Sequence, residues 1–188
     1  AAVCEAKEGN YIVYFPSYEY MSGVVKAFRE LSPDTECAVQ SRSMNYGERN
    51  AFLEKFSKRD GTLVGFCVLG GAFAEGVDLK GEKLIGTIII GTGLPKMCSE
   101  LNILSEYFEK TRENGRDYAY TYPAMIKVEQ AAGRVIRSET DRGVVVLVDD
   151  RYAEPATYRL FPKNWRHIKY TGDPYSLNTA LYRFWGEE

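Results

Sequence analysis

Histidine is almost absent from the 188-residue chain, where His167 stands alone. That scarcity argues against a Ser-His-Asp triad and against a His-based metal site. The four cysteines, Cys4, Cys37, Cys67 and Cys98, lie far apart and form no C-x-x-C pair. Zinc and cluster sites use close pairs, so four separate reduced thiols of a cytoplasmic protein are expected, with no metal bound by this chain. No run approaches the roughly 20 apolar residues that span a bilayer, so no membrane partner is expected. Charge of one sign is lacking as well: 24 basic residues face 26 acidic ones, a net charge of −2. Such a balance excludes a general attraction to nucleic acid and leaves that role to local patches. The start, Ala1-Ala2-Val3-Cys4-Glu5, shows no apolar leader core; its lack of methionine points to a chain cut from a longer one, with processing as the equal alternative.

What is present is a soluble composition, 45% hydrophobic and 27% charged, in which short apolar runs alternate with helical stretches. That alternation predicts a mostly parallel sheet with crossover helices on both faces, a three-layer α/β domain over 1–188. Strands are expected over 11–15, 37–41, 63–69, 84–90 and 143–148. The last three read as runs buried on both faces. Helices are expected over 17–31, capped by Ser17, then over 46–58, 98–112, 123–137 and 177–185. Thr121 is the expected cap of the fourth, with Pro123 in its first turn.

The strongest chemical signal is Gln130-Ala131-Ala132-Gly133-Arg134-Val135-Ile136-Arg137. At 100° per residue, Gln130, Gly133, Arg134 and Arg137 share one stripe about 100° wide. Val128, Ala131, Ala132, Val135 and Ile136 cover the opposite side. Two guanidiniums and an amide therefore point the same way from a rigid support. Gly133 costs about 1 kcal/mol relative to alanine inside a helix, which makes sense if something must approach the backbone closely. Arginine's fixed charge and planar fork match phosphate oxygens. A solvated face near a helix end is the plain alternative for such a pair.

A second signal is the glycine-rich stretch over 70–81, which contains Phe73-Ala74-Glu75-Gly76-Val77-Asp78. It follows a strand, and so lies at the sheet's carboxyl edge, where folds of this class bind ligands. Its glycines let backbone N–H groups approach phosphate oxygens, and Asp78 suits a ribose hydroxyl. A simple turn is the alternative. The third signal is Phe15-Pro16-Ser17-Tyr18, at a strand–helix junction. Ser17 and the helix start suit a nucleic-acid phosphate, and Tyr18 offers a stacking face; an ordinary cap with packed aromatics is the other reading. The aromatic tail (Tyr158, Phe161, Trp165, Tyr182, Phe184, Trp185) is expected to serve packing before base stacking.

With these three segments quoted, the chain resembles the C-terminal motor domain of DinG-like and XPD-like helicases of superfamily 2. F-P-S-Y looks like motif IV, F-A-E-G-V-D-L-K-G like motif V and Q-A-A-G-R-V-I-R-S like motif VI, in the family's order. The resemblance covers about residues 10–152 and implies a RecA-like domain of the P-loop NTPase type. It implies that ATP is shared with a first motor domain absent from this chain, which would hold the Mg2+. It also implies 5′ to 3′ translocation on single-stranded DNA, usually in repair or replication stress. By position, Arg134, Arg137 and Gln130 would serve catalysis, and Glu75, Gly76, Asp78 and Gly133 would bind nucleotide. Ser17, Tyr18, Gly71 and Phe73 would meet DNA.

What the sequence does not hold sharpens this reading. It has no G-x-x-x-x-G-K-[ST] loop and no D-E-A-H box, so nothing in it cradles a β-phosphate. The acidic end of V-V-V-L-V-D-D, at Asp149 and Asp150, imitates a magnesium strand and is read as a decoy. The partners implied are the first motor domain of the same polypeptide and single-stranded DNA. An apolar patch facing that missing domain is expected. A binding module that kept the fold and lost the motor is the alternative from another class.

Overall fold

The computed structural model describes residues 1–57, 61–73, 79, 83–136, 139–165 and 167–186. Five strands, β1 (Asn10–Phe15), β2 (Glu36–Val39), β3 (Leu63–Val68), β4 (Gly86–Ile90) and β5 (Val144–Val148), form one sheet in the order β2-β3-β1-β4-β5. Every pairing is parallel. All strands therefore end at one edge, and each loop that follows a strand opens there. The helices are α1 (Ala2–Ala6), α2 (Tyr18–Leu31), α3 (Tyr46–Lys55), α4 (Ser99–Arg112), α5 (Tyr122–Ala132), α6 (Pro155–Tyr158) and α7 (Pro174–Gly186).

The period-2 alternation of β1 divides the core into two layers. Ile12 and Tyr14 face a cluster that includes Phe52 and Phe56 of α3, Phe73 and Leu79 of the segment after β3, and Met125, Val128 and Ala131 of α5. Tyr11 and Phe15 face the other side. There Phe15 meets Met21, Val25 and Phe28 of α2, while Tyr11 meets Val3 and Ala6 of α1 and Leu181 of α7. The expected three layers are present. Local signals act as read at α2, where the Ser17 hydroxyl accepts from the Tyr20 N–H at 3.2 Å. At α3, Asn45 and Glu48 form a reciprocal capping box.

Three elements differ from the sequence reading. The strand over 143–148 is an edge strand, with Val145 and Val148 exposed rather than buried on both faces. Thr121 makes no side-chain cap, because the chain is already helical ahead of it. One turn there, Asp117–Thr121, is wider than an α-turn, since the Tyr122 N–H reaches back to the Asp117 carbonyl. Helix α4 docks on that turn through Tyr120, whose hydroxyl donates to Asn102 at 2.7 Å, and through the Phe108–Tyr118 stack. Helix α5 stops at Ala132, five residues short of the expected end.

The four cysteines are not disulfide-bonded. Among the described residues, no helix is long and apolar enough to cross a membrane.

Candidate nucleotide and nucleic-acid site

Helix α5 carries the start of the arginine motif, Gln130 to Ala132, the turn after it carries Gly133 and Arg134, and the helix descends from the carboxyl edge of the sheet. Near its start, Val128 and the Ala124 carbonyl pack against Gly93, just beyond β4. At its far end, Val135 packs against Gly143, which leads into β5 beside the Ile85 carbonyl at the opposite edge. Arg134 therefore lies toward the amino ends of the strands. From Lys127, which is level with the carboxyl edge, it is seven residues on, about 10 Å along a helical axis.

The backbone tightens where the motif begins to turn. The Gly133 N–H still bonds the Glu129 carbonyl at 2.8 Å, four residues back. Arg134 and Val135 instead bond Ala131 and Ala132, three residues back, at 3.3 Å each. The stripe drawn at 100° per residue thus holds through Gly133 and is wound tighter at Arg134. Ala131, Ala132 and Val135 are buried and clamp the turn from beneath, while Arg134 is half-buried and Gln130 and Gly133 are exposed. A Cβ on Gly133 would meet only the Glu129 and Gln130 carbonyls within 4 Å. Packing inside the domain therefore does not demand a glycine there. Burial raises the Glu129 carboxyl above its ordinary range. Arg137 lies outside the described residues.

Of the segment between β3 and β4, residues 69–73, 79 and 83–85 are described. It begins at the carboxyl edge with Gly70 and Gly71. Leu79, within it, shares the cluster of Val128, Ala131, Ala132 and Val135. Leu79 and the arginine turn thus lie on the same face of the sheet. Glu75, Gly76 and Asp78 fall outside the described residues.

Phe73, expected to meet DNA, is buried. Its side chain is 1% exposed and stacks on Phe52, with ring centroids 4.2 Å apart and planes 30° apart. Its carbonyl accepts from the buried Tyr14 hydroxyl at 2.9 Å. The ring is a core anchor for the segment and is not available to stack on a base. Motif position assigns Phe73 to DNA, whereas its partner Phe52 is brought in only by the fold.

The carboxyl edge gathers the remaining predicted residues. Ser17 is half-buried and uses its hydroxyl as the α2 cap. The Tyr18 hydroxyl accepts from Gln40 Nε2 at 2.9 Å, and the Arg42 guanidinium carbon lies 4.8 Å from the centroid of the Tyr18 ring. Gln40, just past β2, also accepts from the Val68 N–H at 2.9 Å through Oε1. One buried amide thereby ties the loop after β1 to the end of β3. Gly71 closes a tight turn on the Val68 carbonyl at 3.0 Å, and a Cβ there would lie 2.9 Å from that oxygen and 3.0 Å from Gln40 Nε2. A side chain at Gly71 would push the amide out of place.

Gln40, Arg42 and Lys127 were missed by the sequence reading. Only Lys127 carried a usable signal, since it lies three residues before Gln130 and seven before Arg134, on the same helical stripe. The acidic decoy is also accounted for. Both Asp149 oxygens are taken by Arg151, at 2.7 Å each, which holds the carboxyl below its ordinary range. That pair rims a cleft of about 310 Å³ at the ends of β1, β4 and β5, with Tyr20, Thr92 and Leu94 in its lining. The aromatic tail mostly packs: Phe161 meets Tyr152 and Trp165, and Arg142 lies over Phe184 and Trp185.

Comparison with known proteins places this arrangement. Residues 1–168 match the helicase C-terminal domain family. A probable ATP-dependent helicase of Methanocaldococcus jannaschii is 33% identical over 168 residues, covering 81% of this chain and 25% of that protein. The ATP-dependent DNA helicase YoaA of Haemophilus influenzae is 32% identical, covering 79% of this chain and 22% of that protein. A solved structure of apo XPD superimposes with a TM-score of 0.65 at 25% identity, over 81% of this chain and 30% of that one. The chain spans a quarter or less of the length of these two curated relatives. With a RecA-like parallel sheet and the motif turn in place, the chain belongs to the helicase C-terminal domain family, in the XPD- and DinG-like branch of ATP-dependent DNA helicases.

Proposed function

We propose that this domain is the second motor lobe of an ATP-dependent DNA helicase that moves 5′ to 3′ along single-stranded DNA in the cytoplasm. The first motor lobe of the same polypeptide holds ATP and its Mg2+. Arg134 and Arg137 reach the γ-phosphate across the interface, and Gln130 orients that end of the site. Glu75, Gly76, Asp78 and Gly133 bind the nucleotide. Ser17, Tyr18 and Gly71 meet the strand, with Phe73 supporting their loop from inside.

The observation that carries this reading is the placement of Arg134 on a tightened turn clamped by buried Ala131, Ala132 and Val135, with Leu79 in the same cluster. A guanidinium on such a support needs little reorganisation when charge develops on the transferred phosphoryl group. Donors preorganised in that way contribute about 10²–10³ in rate each, and arginine fingers about 10³–10⁵. Because this lobe has no phosphate loop, it needs its partner to hydrolyse anything.

The test compares the isolated 188-residue domain with the full-length protein in a steady-state ATPase assay, with and without single-stranded DNA. The full-length protein is expected to hydrolyse ATP under DNA stimulation and the isolated domain to show none. Hydrolysis by the isolated domain, or a full-length protein indifferent to DNA, would overturn the proposal.

A further inference from the structure

Beyond the residues already assigned, the carboxyl edge carries a continuous strip of contacts from Lys127 to Arg42. A Cβ on Gly70 would lie 3.3 Å from Cδ and 3.7 Å from Nζ of Lys127, so the lysine stem crosses that glycine and brings its ammonium to the turn. Gly70 has φ +73°, a conformation that suits glycine, and leaves room for the stem. Gly71 follows and abuts Gln40, Gln40 holds the Tyr18 hydroxyl, and Arg42 covers the Tyr18 ring. The order is cation, glycine turn, aromatic, cation.

We propose that Lys127 and Arg42 are the phosphate-contacting cations of the single-strand track on this lobe, bracketing the Gly70-Gly71 turn and the Tyr18 ring. The inference rests on the helicase reading and adds to it two residues drawn from different parts of the chain. The chemistry is that of single-strand binding generally, in which cations track the backbone and an aromatic face takes a base. Among the described residues, neither Arg42 nor Lys127 takes part in an ion pair with a carboxylate. On a chain with net charge −2, binding has to come from such a local pair.

The experiment measures binding of a labelled oligothymidylate to the full-length protein by anisotropy across a range of salt concentrations. Each phosphate contact on a single strand contributes about 0.7 to the slope of log affinity against log salt. Arg42→Gln and Lys127→Gln are each expected to make the slope shallower by about 0.7, and the double variant by about 1.4. Arg42→Lys and Lys127→Arg should keep the parental slope. Melting temperature monitors the fold, and Lys127→Met, which keeps the length of the stem over Gly70, should repeat the loss seen with Lys127→Gln. Parental slopes in both Gln variants of a protein that binds the strand would overturn this inference and leave the helicase reading standing. A parental protein with no affinity for single-stranded DNA would overturn both.

Discussion

Phe73→Ala separates a packing role from a binding one. The ring is 1% exposed, stacks on Phe52 at 4.2 Å and belongs to the larger of the two core layers. Removing it forfeits about 1.5–3 kcal/mol of apolar burial. The lost ring pair adds about 0.5–1.5 kcal/mol. With the cavity left behind, the total should reach about 3–5 kcal/mol, the usual range for such truncations. For a domain of this size each kcal/mol moves the midpoint by about 2–4 °C, so calorimetry should record a fall of about 6–20 °C. Phe73→Leu, which refills most of the space, should recover much of it. If the ring instead stacked on a base, stability would change by less than about 0.5 kcal/mol. Affinity for single-stranded DNA would then fall by about 1–3 kcal/mol. That second pattern would refute the placement of Phe73 in the core.

Other consequences follow from the packing around the arginine turn and from the thiols. A Cβ on Gly143 would collide with Val135 and lie 2.8 Å from the Ile85 carbonyl oxygen. Gly143→Ala should therefore cost about 1–3 kcal/mol in a melting experiment. Because Val135 adjoins Arg134, it should also lower DNA-stimulated ATP turnover more than DNA affinity; equal losses in both would argue against the link. Among the four cysteines, Cys98 is exposed and Cys67 buried, while burial pushes Cys4 up to about 11 and raises Cys37. Since the thiolate is the reactive form, peptide mapping after brief alkylation at pH 8 should find Cys98 modified first. Labelling of Cys67 as fast as Cys98 would contradict the fold.

Much of this was legible in the chain, for reasons that differ by element. Central strands β1, β3 and β4 carry continuous apolar runs because both faces are covered. Edge strand β5 has an equally apolar sequence, V-V-V-L-V, so its exposed Val145 and Val148 could not be told from core. Ser17 caps α2 as its residue type predicts. Thr121 does not cap, since a wide helical turn precedes it. The end of α5 was overextended because Val128, Ala131, Ala132 and Val135 keep an apolar face whether the last turn is an α-turn or a tighter one. The short α1, Ala2–Ala6, carries no periodic signal and exists through its packing on α7. Gln40, Arg42 and Tyr18 meet only through the parallel pairing of β2, β3 and β1, a tertiary fact that spacing does not encode.

The central claim is that Arg134 and Arg137 act on a triphosphate held by another lobe. Its most direct test is the turnover number for DNA-stimulated ATP hydrolysis by full-length protein carrying Arg134→Ala and Arg137→Ala. The account predicts a loss of at least about 10³-fold with melting temperature and single-strand affinity unchanged. Parental turnover in the double variant would contradict it.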